Sequence, residues 1–115
     1  MLSMKFLSFL FICMMVAAPP AKAELTCDTV YSNLQPCLTY VLFGFSLPSD
    51  CCDGVKSLIS TATTTADRQS ACSCVKSLAS RATGDELSRA AGIPGKCGAN
   101  VPFDISPNVD CSKVN

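Results

Sequence analysis

Apolar positions along this chain form one continuous run and then a series of interrupted stripes. The run, Phe6 to Val16, follows Lys5 and precedes the small-residue site Ala21-Lys22-Ala23. A membrane span needs about 20 apolar residues, so this shorter run reads as a cleavable signal peptide over 1–23, leaving one domain, 24–115. No later segment approaches spanning length, and a soluble product is expected.

The stripes that follow have helical period. Val30, Leu34, Cys37, Leu38 and Val41 recur at three- and four-residue steps and predict a first helix from about Cys27 to just before Gly44. A loop, Phe43 to Pro48, separates it from a second helix, which Ser49 is expected to cap with Asp50 in the first turn. There Cys52, Val55, Leu58, Ile59 and Ala62 share a face, and Thr63 to Thr65 break it. Thr64-Thr65-Ala66-Asp67 has capping-box spacing, with Asp for the usual Glu, and opens a third helix through Ala71, Val75, Leu78 and Ala82. Gly84 is expected to terminate that helix. Asp85 and Glu86 then begin a short fourth, which Gly92 followed by Pro94 stops. From Cys97 onward no helix is expected. Pro102, Pro107 and the alternation Val101, Phe103, Ile105 predict a long irregular tail wrapped across the helices. Neither an internal repeat nor a low-complexity stretch is present.

Cysteine content changes this picture from a loose helical chain to a stapled one. Of nine cysteines, Cys13 leaves with the signal, so the mature domain keeps an even eight. A secreted domain of this size hides a limited share of its surface, and disulfides commonly compensate. Adjacent residues on a helix diverge by about 100° and residues two apart by about 200°. Cys51 and Cys52 must therefore seek different partners, as must Cys72 and Cys74. The pairing itself stays open on these grounds. Without histidine, and with secretion expected, zinc and redox uses of the thiols give way to structural bridges, and neither metal nor cofactor is expected.

Charge excludes further classes. Lys5 and Lys22 depart with the signal while every acid stays, so the formally neutral chain matures acidic. There is no basic run to hold phosphates, so nucleic acid is not an expected partner. Strong adsorption to anionic membranes is not expected either. No hydrophobic tail follows Cys111, so a lipid anchor is not expected, and no Asn-x-Ser/Thr site is present. Catalysis is not expected, since there is no histidine to activate a nucleophile and no G-x-S-x-G or phosphate loop. Asp50/Asp53 and Asp85/Glu86 are explained by their predicted first helical turns.

The spacing C-x9-C-x13-CC-x19-C-x-C-x22-C-x13-C resembles the eight-cysteine pattern of plant non-specific lipid-transfer proteins of type 1, over the whole mature chain. Thr64-Thr65-Ala66-Asp67-Arg68 resembles the family's T/S-x-x-D-R/K element, and Pro102-Phe103-Asp104-Ile105-Ser106 its P-Y-x-I-S element. Polar Ser73 between Cys72 and Cys74 also resembles type 1 rather than type 2. The resemblance implies bridges Cys27–Cys74, Cys37–Cys51, Cys52–Cys97 and Cys72–Cys111. It implies an all-α fold, a right-handed superhelical bundle of four helices whose irregular C-terminal tail helps enclose a hydrophobic tunnel. It further implies a monomer, secreted to the cell wall or apoplast, that carries fatty acids, lysolipids or phospholipids with transient membrane contact, in cuticle lipid transport or defence.

By the same resemblance Arg68 stands at the tunnel mouth facing a head group, Tyr40 is an aromatic near the cavity, and Phe103 replaces the usual Tyr, removing a hydroxyl contact. Val30, Leu34, Val41, Val55, Leu58, Val75, Leu78, Val101 and Ile105 become candidate walls; taken alone, such residues are plain core. Small side chains on stapled helices are compatible with an unfilled interior. For Arg68 the competing role is a surface ion pair with Asp67 or a nearby acid. Phe43-Gly44-Phe45 departs from the family's glycine-rich first loop; its two rings are either exposed membrane-contact residues or cover for the core, and cover is expected. The acidic balance, against a usually basic family, predicts weak membrane lysis. The alternative function is inhibition of an amylase or protease, because such inhibitors resemble the same scaffold.

Overall fold

The computed structural model describes residues 25–115; the signal expected at 1–23 lies outside them. Among the described residues the regular elements are all helical. They are α1 (Cys27–Leu34), a 3₁₀ turn (Gln35–Cys37), α2 (Leu38–Phe43), α3 (Ser49–Thr61), α4 (Thr65–Ala79), α5 (Gly84–Cys97) and a C-terminal 3₁₀ turn (Cys111–Lys113). None is long and apolar enough to cross a membrane.

The first predicted helix is thus three contiguous pieces. Pro36 has no N–H to give and its ring crowds the carbonyl one turn earlier, so the backbone tightens to 3₁₀ over Gln35–Cys37 before α2 resumes. Gly44 ends α2 at φ 71°, donating its N–H to the Tyr40 carbonyl oxygen at 2.9 Å. Arg89 of α5 supports the same end: its Nη1 donates to the Val41 carbonyl oxygen at 2.6 Å. A cation there also opposes the negative end of the helix dipole.

Three boundary expectations fail, each for a local reason. Ser49 does not cap α3. Pro48 is the extended residue before the helix, so Ser49 is already in the first turn and its hydroxyl makes no capping bond. Gly84 does not terminate α4, which ends at Ala79; it is instead the first residue of α5. Its neighbour Thr83 forms a complete capping box with Glu86, whose Oε1 accepts from Thr83 N at 3.0 Å while Thr83 Oγ1 accepts from Glu86 N at 3.3 Å. Finally, α5 is not short, for Gly92 and Pro94 lie inside it. Pro94 removes one ladder bond, but buried Ile93 and the Cys97–Cys52 bridge hold this last turn against the bundle. Gly98, at φ 64°, is the residue that caps α5. The tail is irregular from Gly98 except for the terminal 3₁₀ turn, where Asp110 caps by accepting from Ser112 N at 3.1 Å and Ser112 Oγ at 2.6 Å. These bonds, the hydroxyl's first, hold the Asp110 carboxyl below its usual range.

Four disulfides join the elements as Cys27–Cys74, Cys37–Cys51, Cys52–Cys97 and Cys72–Cys111. The adjacent cysteines of α3 reach in two directions, to the first 3₁₀ turn and to α5. Those of α4 reach α1 and the tail. Noncovalent packing follows the same net, with α1 against α3 and α4, and α5 against α2 and α3.

The buried interior falls into two clusters. Leu25, Val30, Ala62, Ala71 and Cys74 form one; Cys37, Cys51, Val55, Ile93 and Cys97 form the other. The largest fully buried side chains are only Val30, Cys51 and Cys72. A close-packed core of this size normally buries larger residues. The rings of Phe43 and Phe45 do not supply that bulk: contrary to expectation they are exposed, 5.5 Å apart.

Candidate functional site: an apolar cavity

Between these clusters the helices and tail surround a cavity of about 540 Å³, within the range typical of small-molecule sites. Each wall follows from a stripe. α1 gives Val30 and Leu34, α2 Val41, α3 Val55 and Leu58, and α4 Val75 and Leu78. The tail closes the space with Asn100, Val101, Pro102, Phe103 and Ile105, while Asp104 between the last two is exposed.

Tyr40 does not join them. Its ring packs beside the second buried cluster, and Lys96 Nζ lies 4.9 Å from its centroid, a cation–π arrangement. It projects from the opposite side of the helix to Leu38 and Leu42, which do line the cavity. Ile59, Ala71, Leu87, Ala90 and Ile93 also belong to the wall. For Leu38, Ile59 and Ala71 the signal was present in stripes already recognised, while Leu42 was missed although it continues the first stripe four residues after Leu38. For Leu87, Ala90 and Ile93 it was hidden by ending the fourth helix at Gly92, since their three-residue steps need the full length of α5.

Polar side chains in the lining are few: Arg68, Arg81, Glu86 and Asn100. Arg68 is held by backbone oxygens. Its Nη1 donates to the Ala62 carbonyl at 3.1 Å and its Nε to the Asn115 carbonyl at 2.6 Å, so one guanidinium joins the end of α3 to the tail. Neighbouring Gln69 donates to the carbonyls of Val114 at 3.0 Å and Ser112 at 3.3 Å. Asp67, buried, donates its backbone N–H to Thr64 Oγ1 at 3.0 Å, while its Oδ1 accepts from Leu25 N at 3.3 Å. A guanidinium has five donors, and these bonds use two of them. Phe103 offers only its ring. Among the described residues no group of Cys, Asp or Glu stands where it could hold a metal ion.

A covalently stapled helical shell around an apolar hollow, with one guanidinium fixed in its wall, defines a small cavity protein. Its class is that of the Protease inhibitor/seed storage/LTP family, whose model matches residues 27–111. Within that class, the chain is 47% identical over 112 residues to non-specific lipid-transfer protein Cor a 8.0101 of Corylus avellana, covering 97% of each. Among solved structures it is similar to barley non-specific lipid transfer protein 1 in complex with lysophosphatidylcholine, with TM-score 0.72 and 44% identity over 79% of this chain and 100% of that one. A lipid transfer protein complexed with palmitate is similar at TM-score 0.65 and 44% identity, again covering 79% of this chain and 100% of that one. The chain belongs to the plant non-specific lipid-transfer proteins.

Proposed function

We propose that this protein binds and transfers lipids, taking the acyl chain of a fatty acid, lysolipid or phospholipid into the cavity without chemical change, and that it works outside the cell after loss of residues 1–23. The observation that carries this reading is the hollow itself: some 540 Å³ with walls of Val, Leu, Ile, Ala and Phe and a fixed cation. Each methylene taken from water is worth about 0.8 kcal/mol, so ten would gain about 8 kcal/mol. A bilayer offers nearly the same gain, which keeps exchange between membrane and protein close to balance. Apolar walls distinguish neighbouring chain lengths only modestly, so the ligand range is broad.

Native mass spectrometry of the oxidised mature protein with palmitate tests the proposal. A one-to-one adduct is expected; amylase or protease inhibition by a protein that takes up no lipid would overturn it.

Arg68 is read as the group facing the ligand's head. Replacing it with Ala removes the Ala62 and Asn115 bonds for every ligand alike, so the informative quantity is a difference between ligands. Arg68→Ala is expected to weaken a fatty acid about tenfold more than the corresponding alcohol, the worth of one charge-assisted hydrogen bond. Equal losses in a fluorescence displacement titration would refute the head-group role.

A further inference from the structure

Phe43 and Phe45 are 63% and 61% exposed, and neither lines the cavity. Gly44 between them turns the backbone through φ 71°, and the Arg89 guanidinium packs against that turn, so both rings project from a held position rather than a slack loop. The apolar surface does not stop at the rings. Leu38 and Leu42, one helical turn apart on α2, are 48% and 44% exposed and also line the cavity, so one greasy strip runs from the outer rings to the interior. A cation, Arg89, lies beside Gly44 at its outer end.

We propose that this strip is the membrane-docking face, with Phe43 and Phe45 entering the interfacial region of a phospholipid bilayer and the Leu38–Leu42 edge serving as the passage for an acyl chain. The inference rests on the cavity being the lipid site. Three features select a bilayer as the occupant. The patch is continuous with the compartment that the cargo must enter. Its exposed area, roughly 400 Å² given the size of Phe and Leu side chains, is about half of what each partner contributes to a stable dimer. The charge held beside it, Arg89, is positive, matching lipid phosphates.

The test compares the mature protein with Phe43→Ser/Phe45→Ser, and with Phe45→Ser alone should the double variant fold poorly. Vesicles contain equal parts phosphatidylcholine and phosphatidylglycerol. In vesicle-free solution the variant should keep its affinity for a fluorescent fatty acid within about twofold, which also establishes that it is folded. Co-flotation with vesicles should be lost, and the rate of fatty-acid transfer from donor to acceptor vesicles should fall about tenfold. Wild-type transfer and flotation by a variant with intact solution binding would overturn the docking face. So would a concentration-dependent dimer of the wild type that the substitutions abolish. Failure of the wild type to bind the fatty acid at all would sink the carrier reading instead, with flotation still judging the rings.

Discussion

Substituting Gly54 by alanine is expected to lower the melting temperature by about 15 °C, although glycine-to-alanine in a helix interior ordinarily stabilises. Alanine at an open helical position gains up to about 1 kcal/mol over glycine. At position 54 the added methyl would overlap the backbone carbonyl oxygen of Asn33, where α1 crosses α3 in close contact. Backbone cannot swing aside like a side chain, so the helices must part. Overpacking of this kind costs about 3 kcal/mol, which exceeds the propensity gain, and a domain of this size loses about 4–8 °C per kcal/mol. The parting also displaces two cavity walls, Val30 and Leu34 from Val55 and Leu58. Gly92→Ala is the control, because nothing lies within 4 Å of the position its methyl would take. Thermal denaturation followed by circular dichroism should move the two variants in opposite directions. A Gly54→Ala protein as stable as the parent would show that the helix contact is less tight than described.

A far larger side chain should be accepted a short distance away. Ala71 is buried in α4 and lines the cavity, so the ring of Ala71→Phe has empty space to enter. The usual cost of overfilling a core does not arise where the core is hollow. The ring displaces about four methylenes of an acyl chain, worth roughly 3 kcal/mol, so fatty-acid affinity should fall about 100-fold. The expected result is an unchanged or raised melting temperature with binding nearly abolished in a displacement titration. Were binding retained in full, the acyl chain would have to occupy some other part of the molecule. Together the two variants distinguish the solid helix contact from the hollow it frames.

The wall of this hollow was largely legible because a stripe records which side of a helix avoids water. It does not record what the stripe faces. Whether Val30, Leu34 and Val75 meet one another or an empty space depends on the distance between helices, and no periodicity encodes a distance. The bridge partners came through family resemblance rather than from helix geometry, which only separated the members of each pair. Tyr40 shows the finer limit: it lies within the first stripe's span, yet two residues from Leu38 and from Leu42 it points elsewhere. The fourth helix was misjudged by taking the Gly92–Pro94 pair as a stop when Gly98 lay ahead and buried Ile93 and Cys97 demanded one more turn. Thr83 and Glu86 carried a full capping box in plain sight. Outward rings at Phe43 and Phe45 were the less favoured of two readings, and the sequence could not choose between them because a loop has no face until its neighbours are placed.

Three consecutive side chains of α4 hold both extremities of the described chain: Asp67 accepts from the backbone at Leu25, while Arg68 and Gln69 grip the backbone at 112–115. Loose ends are where digestion ordinarily begins. Peeling this segment away means breaking the guanidinium's grip on Asn115 and extracting buried Val114 before the Cys111 bridge is exposed. Fraying at residue 25 or at 112–115 is thereby opposed by a single helical turn, through bonds additional to those of the cross-links.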